Sequence, residues 1–556
     1  MAPLLERHLN TNYVPSDTER REIFRILQEP QARLSKINDE IERMEATLEE
    51  MKRQRDELSQ HIDQYRALTS PIRRLPQEIL LEIFIHCLPK DHNTFMSSHE
   101  APLLLGRICS RWRSVSLSAR QLWTTIHVPV PAPAEIHPEQ VITKAEHIVA
   151  SKRMIRLRTA ALQEWLNRSG SLPVDISCNQ WAEAITADFV NTAQPIVDVI
   201  LSVAHRWRNV TMAAPADTMV SFLSYPSHNL PFLESLNLIF IWRWEPGLSI
   251  QPSEYNICGA PSLRKLSFEE LRANPLKLPV NWEHLTDLSL KFQTGSTHQL
   301  PLHEAAELLS RCRHLVRCTL AMGQTYEVPP VQLSSFTLPY LECFTIFEVT
   351  YATSVFSCLD LPELCQVTYY TAVAPHSSRR SSLLTLLEKS NGSIRELKVN
   401  PQQFTRGELI ECLRLIPHAT ILTFDNRTSR HRKAVGAYGR DPTILHKDLL
   451  YSFLPSATMG PLCPKLQVLH VSPHLDVSDE DLLEFTLEKQ RGASSNLLPL
   501  KRLQIDFIRP QRMNVMAHLK MMKDFDLQLR YAARSMETLF SPSEMVDIPD
   551  VGYSYQ

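Results

Sequence analysis

The string His303-Glu304-Ala305-Ala306-Glu307 is the nearest approach of this chain to a metalloprotease motif. A zinc site of that kind needs histidines at positions i and i+4, so that both imidazoles reach the metal from one face of a helix. Position 307 is glutamate, and one ligand is therefore missing. The string predicts a solvated helix terminus, and the sequence as a whole predicts no metal and no cofactor.

Other catalytic signatures are absent from the sequence. It contains no Gly-x-Gly-x-x-Gly, no Gly-x4-Gly-Lys-Ser/Thr and no Gly-x-Ser-x-Gly. The isolated histidines His205, His284 and His314 stand beside a repeated apolar phrase, where partly buried structural roles are expected. Because no nucleophile with a base can be identified, the sequence predicts a protein that is not an enzyme.

The basic residues and the cysteines do not indicate nucleic-acid binding, a disulfide framework or a zinc site. The basic patch from Lys152 to Arg158 is interleaved only with aliphatic residues and methionine, whereas single-stranded nucleic acid is usually bound on aromatic platforms. The 11 cysteines are scattered and form no Cys-x-x-Cys. We therefore expect no nucleic-acid partner, no disulfide framework and no zinc ribbon, and we expect most cysteines to be buried thiols.

Composition narrows the class of protein without choosing a function. Of the 556 residues, 43% are hydrophobic and 22% charged, and the formal net charge is −2. Such a chain has no global field that would attract nucleic acid or anionic lipid, so partners must be recognised locally. The start lacks a signal-peptide core, and nowhere do 18 apolar residues run together. The sequence predicts a soluble protein without a membrane partner, in the cytoplasm, the nucleus or both.

A heptad pattern near the start predicts a coiled-coil helix over residues 31–70. With Leu34 at position a, the apolar residues at a and d form a seam that is interrupted once, by Arg55 at a. Pro30 and Pro71 are expected to end the helix on either side. The seam residues are Leu34, Ile37, Ile41, Met44, Leu48, Met51, Leu58, Ile62 and Tyr65.

The partner of this seam is left open by the sequence. In a parallel homodimer Glu40 would face Glu45 of the second helix, and Arg55 would lie against its own copy, both unfavourable contacts. Pairing with another protein and an antiparallel arrangement are alternatives. A solvated helix that only spaces the next domain is the remaining interpretation.

Residues 71–128 predict a small unit of three short helices. Pro76 suits the first turn of a helix, and Glu78 suits the positive end of its dipole. A second apolar run begins at Pro102 and is followed by Leu122-Trp123. A unit of this size buries little surface by itself, so some of its large apolar side chains are candidates for a partner surface.

The order and spacing of these residues resemble the F-box, especially the fungal F-box proteins with a short coiled coil upstream. The motif here is Leu75-Pro76-x-x-Ile79-Leu80-x-x-Ile83-Phe84, followed by Cys109-x-x-Trp112-Arg113 and Leu122-Trp123. The resemblance implies that this segment binds a Skp-family adaptor and, through it, a cullin-RING ubiquitin ligase. The residues it implies for adaptor binding are Leu75, Pro76, Ile79, Leu80, Ile83, Phe84, Cys109, Trp112 and Trp123, some of which must instead belong to the core.

One departure from the F-box pattern is a polar stretch between Leu88 and Ala101 that is longer than the usual turn. A loop extension costs little free energy, because closure entropy grows only logarithmically with loop length. It would nevertheless change the rim of the adaptor contact.

Residues 129–540 predict a solenoid resembling leucine-rich repeats, with one strand and one helix per unit. The phrase apolar-x-x-apolar-x-apolar returns eleven times, and from Val210 to Leu422 its middle residue recurs every 22 to 30 residues. Helical stretches lie between the copies, at 305–312, 381–389 and 407–416. Because such units bury their apolar side only when stacked, we expect a parallel ladder of strands. An unrelated α/β domain is the alternative.

The remaining segments are connectors. Residues 1–30 precede the coiled coil, a proline-rich spacer begins at Pro129, and residues 541–556 are expected to be a flexible tail. The basic run from Asp425 to Lys433 most simply predicts a solvated loop, although it could touch an acidic client.

Together these features predict a mixed fold of coiled coil, three-helix F-box and α/β repeat array. The resemblance implies a substrate-recognition subunit of an SCF-type ligase, which binds a Skp-family adaptor with the F-box and an unidentified client protein with the repeats. The alternative is a repeat scaffold that uses the F-box-like module for another protein contact, without ligase activity.

Overall fold

The computed structural model describes residues 9–130, 144–180, 193–242, 250–292, 300–323, 334–350, 352–372, 380–390, 392–425, 445–455, 460–472, 475–491, 497–507, 509–519 and 525–531. The chain divides into two compact units, Met1–Ile83 and Phe84–Gln556. Most of the predicted proline-rich spacer and basic run, and all of the predicted tail, lie outside the described residues.

One long helix, α1, spans Asp17–Thr69 in the first unit. A capping box starts it, in which the Ser16 amide donates to Glu19 Oε2 at 2.8 Å. Pro30 lies inside the helix, so the prediction that the helix starts after this proline is wrong. The cap upstream fixes the start at Asp17, and one proline removes a single hydrogen bond from a helix of 53 residues. At 1.5 Å per residue the helix is about 80 Å long.

Every apolar residue of the predicted seam on α1 is exposed in the single chain. The exposed fraction ranges from 42% for Ile41 to 63% for Met51. The helix therefore buries none of this stripe within its own chain, and the identity of its partner remains a prediction.

Short helices follow α1. A 3-10 turn, Pro71–Arg74, leads to helix α2, Gln77–His86, and the division between the two units falls within α2. In the second unit, 3-10 turns at Leu105–Arg107 and Arg120–Trp123 flank helix α3, Ser110–Ser118.

The rest of the second unit is an α/β structure built on one large parallel sheet. Among the described residues the sheet has fourteen strands, and their spatial order is their chain order. The strands are β1 Thr125–Pro129, β2 Val174–Asn179, β3 Trp207–Pro215, β4 Ser235–Ile241, β5 Lys265–Glu269, β6 Asp287–Lys291, β7 Arg317–Met322, β8 Cys343–Glu348, β9 Gln366–Thr371, β10 Glu396–Val399, β11 Ile421–Asp425, β12 Val468–Ser472, β13 Arg502–Asp506 and β14 Asp526–Arg530.

The predicted apolar phrase accounts for eleven of these strands, β3 to β13, and confirms the parallel ladder. Its middle residues lie side by side in register across the sheet, as Leu236, Leu266 and Leu288 do in β4, β5 and β6. These side chains and those two positions further on are buried, while the residue between them is half exposed. One face of the sheet is therefore core, and the period of two along each strand explains why the phrase repeats as it does.

Helices connect many of the strands. They are α4 Lys144–Arg168, α5 Gln194–Ser202, α6 Ala216–Leu223, α7 Leu302–Arg311, α8 Thr353–Cys358, α9 Ser382–Lys389, α10 Arg406–Arg414, α11 Lys447–Tyr451, α12 Asp479–Arg491 and α13 Val515–Leu519. The predicted helical stretches correspond to α7, α9 and α10. In α7, for example, Ala305, Leu308 and Leu309 are buried, which is the stripe of an amphipathic helix.

Other connections are short and extended or 3-10. The 3-10 turns are Ala204–Arg206, Ser227–Asn229, Pro252–Glu254, Asn256–Gly259, Pro275–Lys277, Trp282–His284 and Pro401–Gln403. Two small parallel pairs lie outside the large sheet, Phe336–Thr337 with Leu359–Asp360 and Leu445–His446 with Leu475–Asp476.

Candidate functional site

Helix α2 exposes two isoleucines one turn apart. Ile79 is 51% exposed and Ile83 39%, whereas Leu80 between them is fully buried. Pro76 is exposed and Leu75 is half-buried at the start of the helix. The Leu80 amide donates to the Pro76 carbonyl at 3.1 Å, and Glu78 in the first turn favours the helix dipole. The helix thus carries an apolar face that its own chain leaves open.

Phe84 and Trp112 form an internal contact of the second unit. Phe84 is fully buried, and its ring lies 4.8 Å from that of Trp112, centroid to centroid. Trp112 is partly exposed. Phe84 therefore offers no surface to a partner in this conformation, and only part of Trp112 does.

Cys109 has a local structural role. It is exposed and lies at the N-cap of α3, where its Sγ accepts a hydrogen bond from the Trp112 amide at 3.5 Å. Thiols are weak acceptors, but the geometry is that of a capping side chain. The sequence motif Cys109-x-x-Trp112 thus marks the beginning of a helix.

Trp123 belongs to the core. It is 1% exposed, and its Nε1 donates to the Ser116 carbonyl at 2.8 Å. Trp165 meets it edge to face at 4.7 Å between ring centroids, and the Arg168 guanidinium lies 4.6 Å from the ring centroid. Of the nine residues that the F-box resemblance implies, Leu80, Phe84 and Trp123 are buried here and hold the fold.

Between Pro102 and Ser118 the second unit exposes three further apolar side chains that the sequence analysis did not select. Leu104, Ile108 and Leu117 are 39%, 57% and 42% exposed. They lie in the apolar run after Pro102 and on α3. Spacing alone could not separate them from their buried neighbours Leu105 and Val115, because both classes are aliphatic and only a residue or two apart.

The long polar loop after Leu88 covers the edge of the sheet. The His127 amide donates to the Thr94 carbonyl at 2.8 Å, and Phe95 forms a parallel bridge with His127 in β1. Thr94 is fully buried, with its Oγ1 2.9 Å from Oγ1 of Thr125. This loop therefore satisfies backbone groups that an edge strand would otherwise expose.

The half-exposed face of the sheet carries one continuous row of polar side chains. Each residue of the row is aligned with the next across the strands, and from β1 to β13 each lies between buried apolar neighbours. From β1 to β14 the row reads His127, Ser177, Thr211, Asn237, Ser267, Ser289, Thr319, Thr345, Thr368, Lys398, Thr423, His470, Gln504 and Gln528. We call this set the polar row. Apart from Ser289 Oγ and His470 Nε2, which are buried, it is a candidate surface for hydrogen bonding to another molecule.

The metalloprotease-like string holds ordinary surface contacts. Glu304 accepts a hydrogen bond from Asn274 at 2.8 Å, and Glu307 pairs with Arg311 at 2.5 Å. Within the described ranges no group of three or more His, Cys, Asp and Glu side chains is arranged to hold a metal. No helix in the described part is both long and apolar enough to cross a bilayer.

The expected burial is confirmed for most of the cysteines but not for the histidines. Six of the 11 cysteines are buried, and burial raises the pKa of the Cys178 thiol to about 12. The histidines expected to be partly buried, His205, His284 and His314, are exposed. They lie in turns just before strands, where the chain leaves the core, so the prediction of their burial is wrong.

Comparison with known proteins adds no relative. No protein-family model matches this chain, and no curated protein matches it either.

Proposed function

We propose that this chain is the substrate-recognition subunit of an SCF-type cullin-RING ubiquitin ligase. Its F-box-like segment would bind a Skp-family adaptor, and its sheet would hold a client protein. The subunit carries out no bond chemistry in this proposal. It acts in the cytoplasm, the nucleus or both, by giving lysines of the client a high effective concentration near activated ubiquitin.

The observation that carries the proposal is the exposure of Ile79 and Ile83 on α2. Two aliphatic side chains at i and i+4 form one patch, and the buried Leu80 on the same helix shows that the helix is not simply solvated. Contiguous exposed apolar side chains rimmed by polar residues are a mark of protein-binding surfaces. With Leu80, Phe84 and Trp123 assigned to the core, adaptor contact in the first unit falls to Pro76, Ile79 and Ile83, with the half-buried Leu75. In the second unit the exposed Cys109 and the partly exposed Trp112 stay available.

The exposed apolar side chains of the F-box-like segment in the second unit, Leu104, Ile108 and Leu117, support the proposal separately. Ile108 is the most exposed of these three, at 57%. Exposed apolar side chains add little to the stability of the fold, but they can supply much of the binding energy at an interface with another protein.

The client is assigned to the repeat region, which we propose to be a solenoid of the leucine-rich-repeat type. Strands that follow one another in chain order, in constant register and with helices between them, support this assignment. In such an array the open strand face is the recognition surface. Here that face carries the polar row, so a client would be bound through hydrogen bonds as well as shape.

Adaptor binding is tested by co-purification of the full-length chain with a Skp-family adaptor. We expect Ile79→Asp with Ile83→Asp to abolish recovery of the adaptor while far-ultraviolet circular dichroism stays unchanged. Glu82→Gln, an exposed change on the same helix, is the matched control and should retain the adaptor. If the wild type recruits no Skp-family protein, or if the double variant still does, the ligase proposal is wrong and a repeat scaffold remains.

Client binding is tested on the polar row. Thr319→Arg with Thr345→Arg places two bulky charges on adjacent strands of the open face. Proteins that accumulate when the chain is deleted should stay elevated after rescue with this variant, although the adaptor is still recruited. Glu363→Arg, at an exposed position outside the row, should rescue fully. Full rescue by the double variant would exclude this part of the face as the client surface.

A further inference from the structure

The exposed seam of α1 lacks a partner within its chain, and its own sequence specifies one. We propose that α1 pairs with α1 of a second copy in antiparallel orientation, in the register that places Leu48 opposite Met51. This inference does not depend on the ligase proposal, because it uses only residues of the first unit.

The first argument is register. In an antiparallel pair the a positions of one helix meet the d positions of the other. With Leu48 opposite Met51, the whole seam overlaps and none of its apolar residues is left without an opposite residue. The layers pair Leu34 with Tyr65 of the second copy, Ile37 with Ile62, Ile41 with Leu58, Met44 with Arg55 and Leu48 with Met51, each occurring twice.

The second argument concerns Arg55, the one polar residue of the seam. In a parallel dimer in register Arg55 would meet Arg55 of the second copy, which puts two like charges into one layer. In the antiparallel register it meets Met44, an unbranched side chain that leaves room for the aliphatic part of the arginine. Arg55 is solvent-exposed in the single chain, so its guanidinium can remain in water at the edge of the pair.

The third argument is charge complementarity along the seam. Between Leu34 and Arg66 the charged residues at the flanking e and g positions are acidic in the first half, Glu40 and Glu45, and basic in the second half, Lys52 and Arg66. A parallel pair puts acid beside acid. In the antiparallel register Glu45 of each copy lies beside Lys52 of the other, so this attractive contact is made twice.

The surface available is large enough for a stable dimer. Nine apolar seam residues per chain are each about half exposed. Burying them in both copies removes on the order of 1,500 Å² from water, which is the size of an ordinary specific interface. In this arrangement the two Thr69 residues, where the helices end, lie about 60 Å apart, at opposite ends of the pair.

Self-association is tested with the full-length chain by sedimentation equilibrium over a range of concentrations. We expect a monomer–dimer equilibrium for the wild type. Leu48→Glu alters two layers of the pair and should raise the dissociation constant about 100-fold or more. Ala46→Glu adds the same charge on the opposite side of the helix and should change it less than about threefold. A wild type that stays monomeric, or equal effects of the two variants, would overturn the proposal.

Orientation is tested by photo-crosslinking. Tyr65 is replaced with p-benzoylphenylalanine in the full-length chain, and crosslinked peptides between isotopically distinct copies are identified by mass spectrometry. The antiparallel register predicts crosslinks to residues around Leu34. Crosslinks to residues around position 65 of the second copy would show a parallel dimer and contradict the proposal.

A charge reversal separates the two orientations independently, because they predict effects of opposite sign. Glu45→Lys puts like charges beside Lys52 in the antiparallel pair and should weaken it several-fold, and Lys52→Glu added to it should restore the affinity. In a parallel dimer the same Glu45→Lys change would relieve the repulsion from Glu40 and strengthen association. Stronger dimerisation of the single variant would therefore exclude the antiparallel arrangement.

Discussion

Asp479 and Arg509 form an ion pair whose carboxylate is completely buried. Arg509 Nη2 lies 2.7 Å from Asp479 Oδ1, and the side chain of Asp479 has no exposed surface. The backbone amides of Arg512 and Met513 donate to Oδ2 at 2.8 Å each, and the Tyr531 hydroxyl donates to Oδ1 at 3.1 Å. One carboxylate at the start of α12 thus joins the segments that follow β13 and β14.

Replacing this carboxylate should be costly. Burial favours the neutral acid, but the Arg509 guanidinium and the backbone donors outweigh it and hold the pKa of Asp479 below its ordinary value. We expect Asp479→Asn to lower the free energy of unfolding by about 2–4 kcal/mol at pH 7, measured by urea denaturation. Asp526→Asn, which breaks an exposed ion pair with Arg502, should cost less than about 1 kcal/mol.

The pH dependence of this pair follows from the lowered pKa. A carboxyl whose pKa is lower in the folded state contributes its full stabilisation above the ordinary value of 3.8 and loses it as the pH falls through the folded value. The difference in stability between wild type and Asp479→Asn should therefore be constant from pH 7 to pH 5 and shrink below about pH 4. A difference that persists unchanged at pH 3 would contradict this account.

Glu348 should show the opposite pH dependence. It is 2% exposed at the end of β8, accepts hydrogen bonds from the Ala352 amide and the Tyr369 hydroxyl, and burial raises its pKa. A carboxyl whose pKa is higher in the folded state stabilises the fold at pH values below its ordinary pKa of 4.5. This stabilisation is lost as the pH rises through the pKa of the folded state. Relative to Glu348→Gln, the free energy of unfolding of the wild type should fall as the pH rises above 4.5. Glu342→Gln, at an exposed position, should reproduce the wild-type profile.

Lys489 carries a buried amine. Among the described residues its side chain forms no ion pair. It has no exposed surface, its Nζ donates to the Phe453 carbonyl at 3.4 Å, and burial lowers its pKa to about 8. Below pH 8 the buried amine is charged, which lowers the free energy of unfolding. This loss of stability is relieved as the pH rises from the folded pKa of about 8 toward the ordinary pKa of 10.5. We expect Lys489→Met to stabilise the protein by about 1 kcal/mol at pH 7, with the gain shrinking above pH 8. Lys389→Met, on the exposed end of α9, should have little effect.

Replacing Trp123 tests whether this residue belongs to the core or to the proposed adaptor surface. Trp123→Ala should cost about 3–5 kcal/mol, because it removes a buried indole and leaves a cavity beside Trp165. Cys109→Ser replaces the capping sulfur with a hydroxyl oxygen, which can accept the same hydrogen bond, and should change stability by less than about 1 kcal/mol. Thermal unfolding measures both changes. A mild effect of Trp123→Ala would return this tryptophan to the list of contact residues.

The loop after Leu88 should be needed for solubility of the sheet edge. Replacing residues 92–97 with two glycines removes the Thr94 carbonyl and Phe95 from β1 and leaves an unpaired edge strand. We expect a lower melting temperature and concentration-dependent light scattering. Ser98→Gly with His99→Gly changes only exposed residues of the same loop and should behave as the wild type.

The strands were predictable from the sequence because the ladder repeats one simple pattern. Leu233, Leu236 and Leu238 show it: the first residue ends the turn before the strand, and the other two point to the same buried face. The strands β1, β2 and β14 were not predicted. Val174 and Ile176 in β2 do alternate, but without the leading apolar residue they look like any short apolar run.

Other features depend on contacts between residues distant in the chain. Nothing near Asp479 in the sequence indicates that Arg509 will reach it, and nothing near Leu80 distinguishes it from the exposed Ile79 beside it. The start of α1 shows a different difficulty. A single proline normally ends a predicted helix, yet the capping box at Ser16 and the long run of hydrogen bonds around Pro30 outweigh it.

In the polar row, the side chains that face outward are different residues from those that hold the core. Each strand contributes one outward side chain whose neighbours on either side hold the interior, so the outward residue can be exchanged without disturbing what lies beneath it. A surface built this way can drift toward a new specificity one strand at a time. Each step would leave the scaffold as stable as before, so the chemistry of this face and the stability of the fold can change independently.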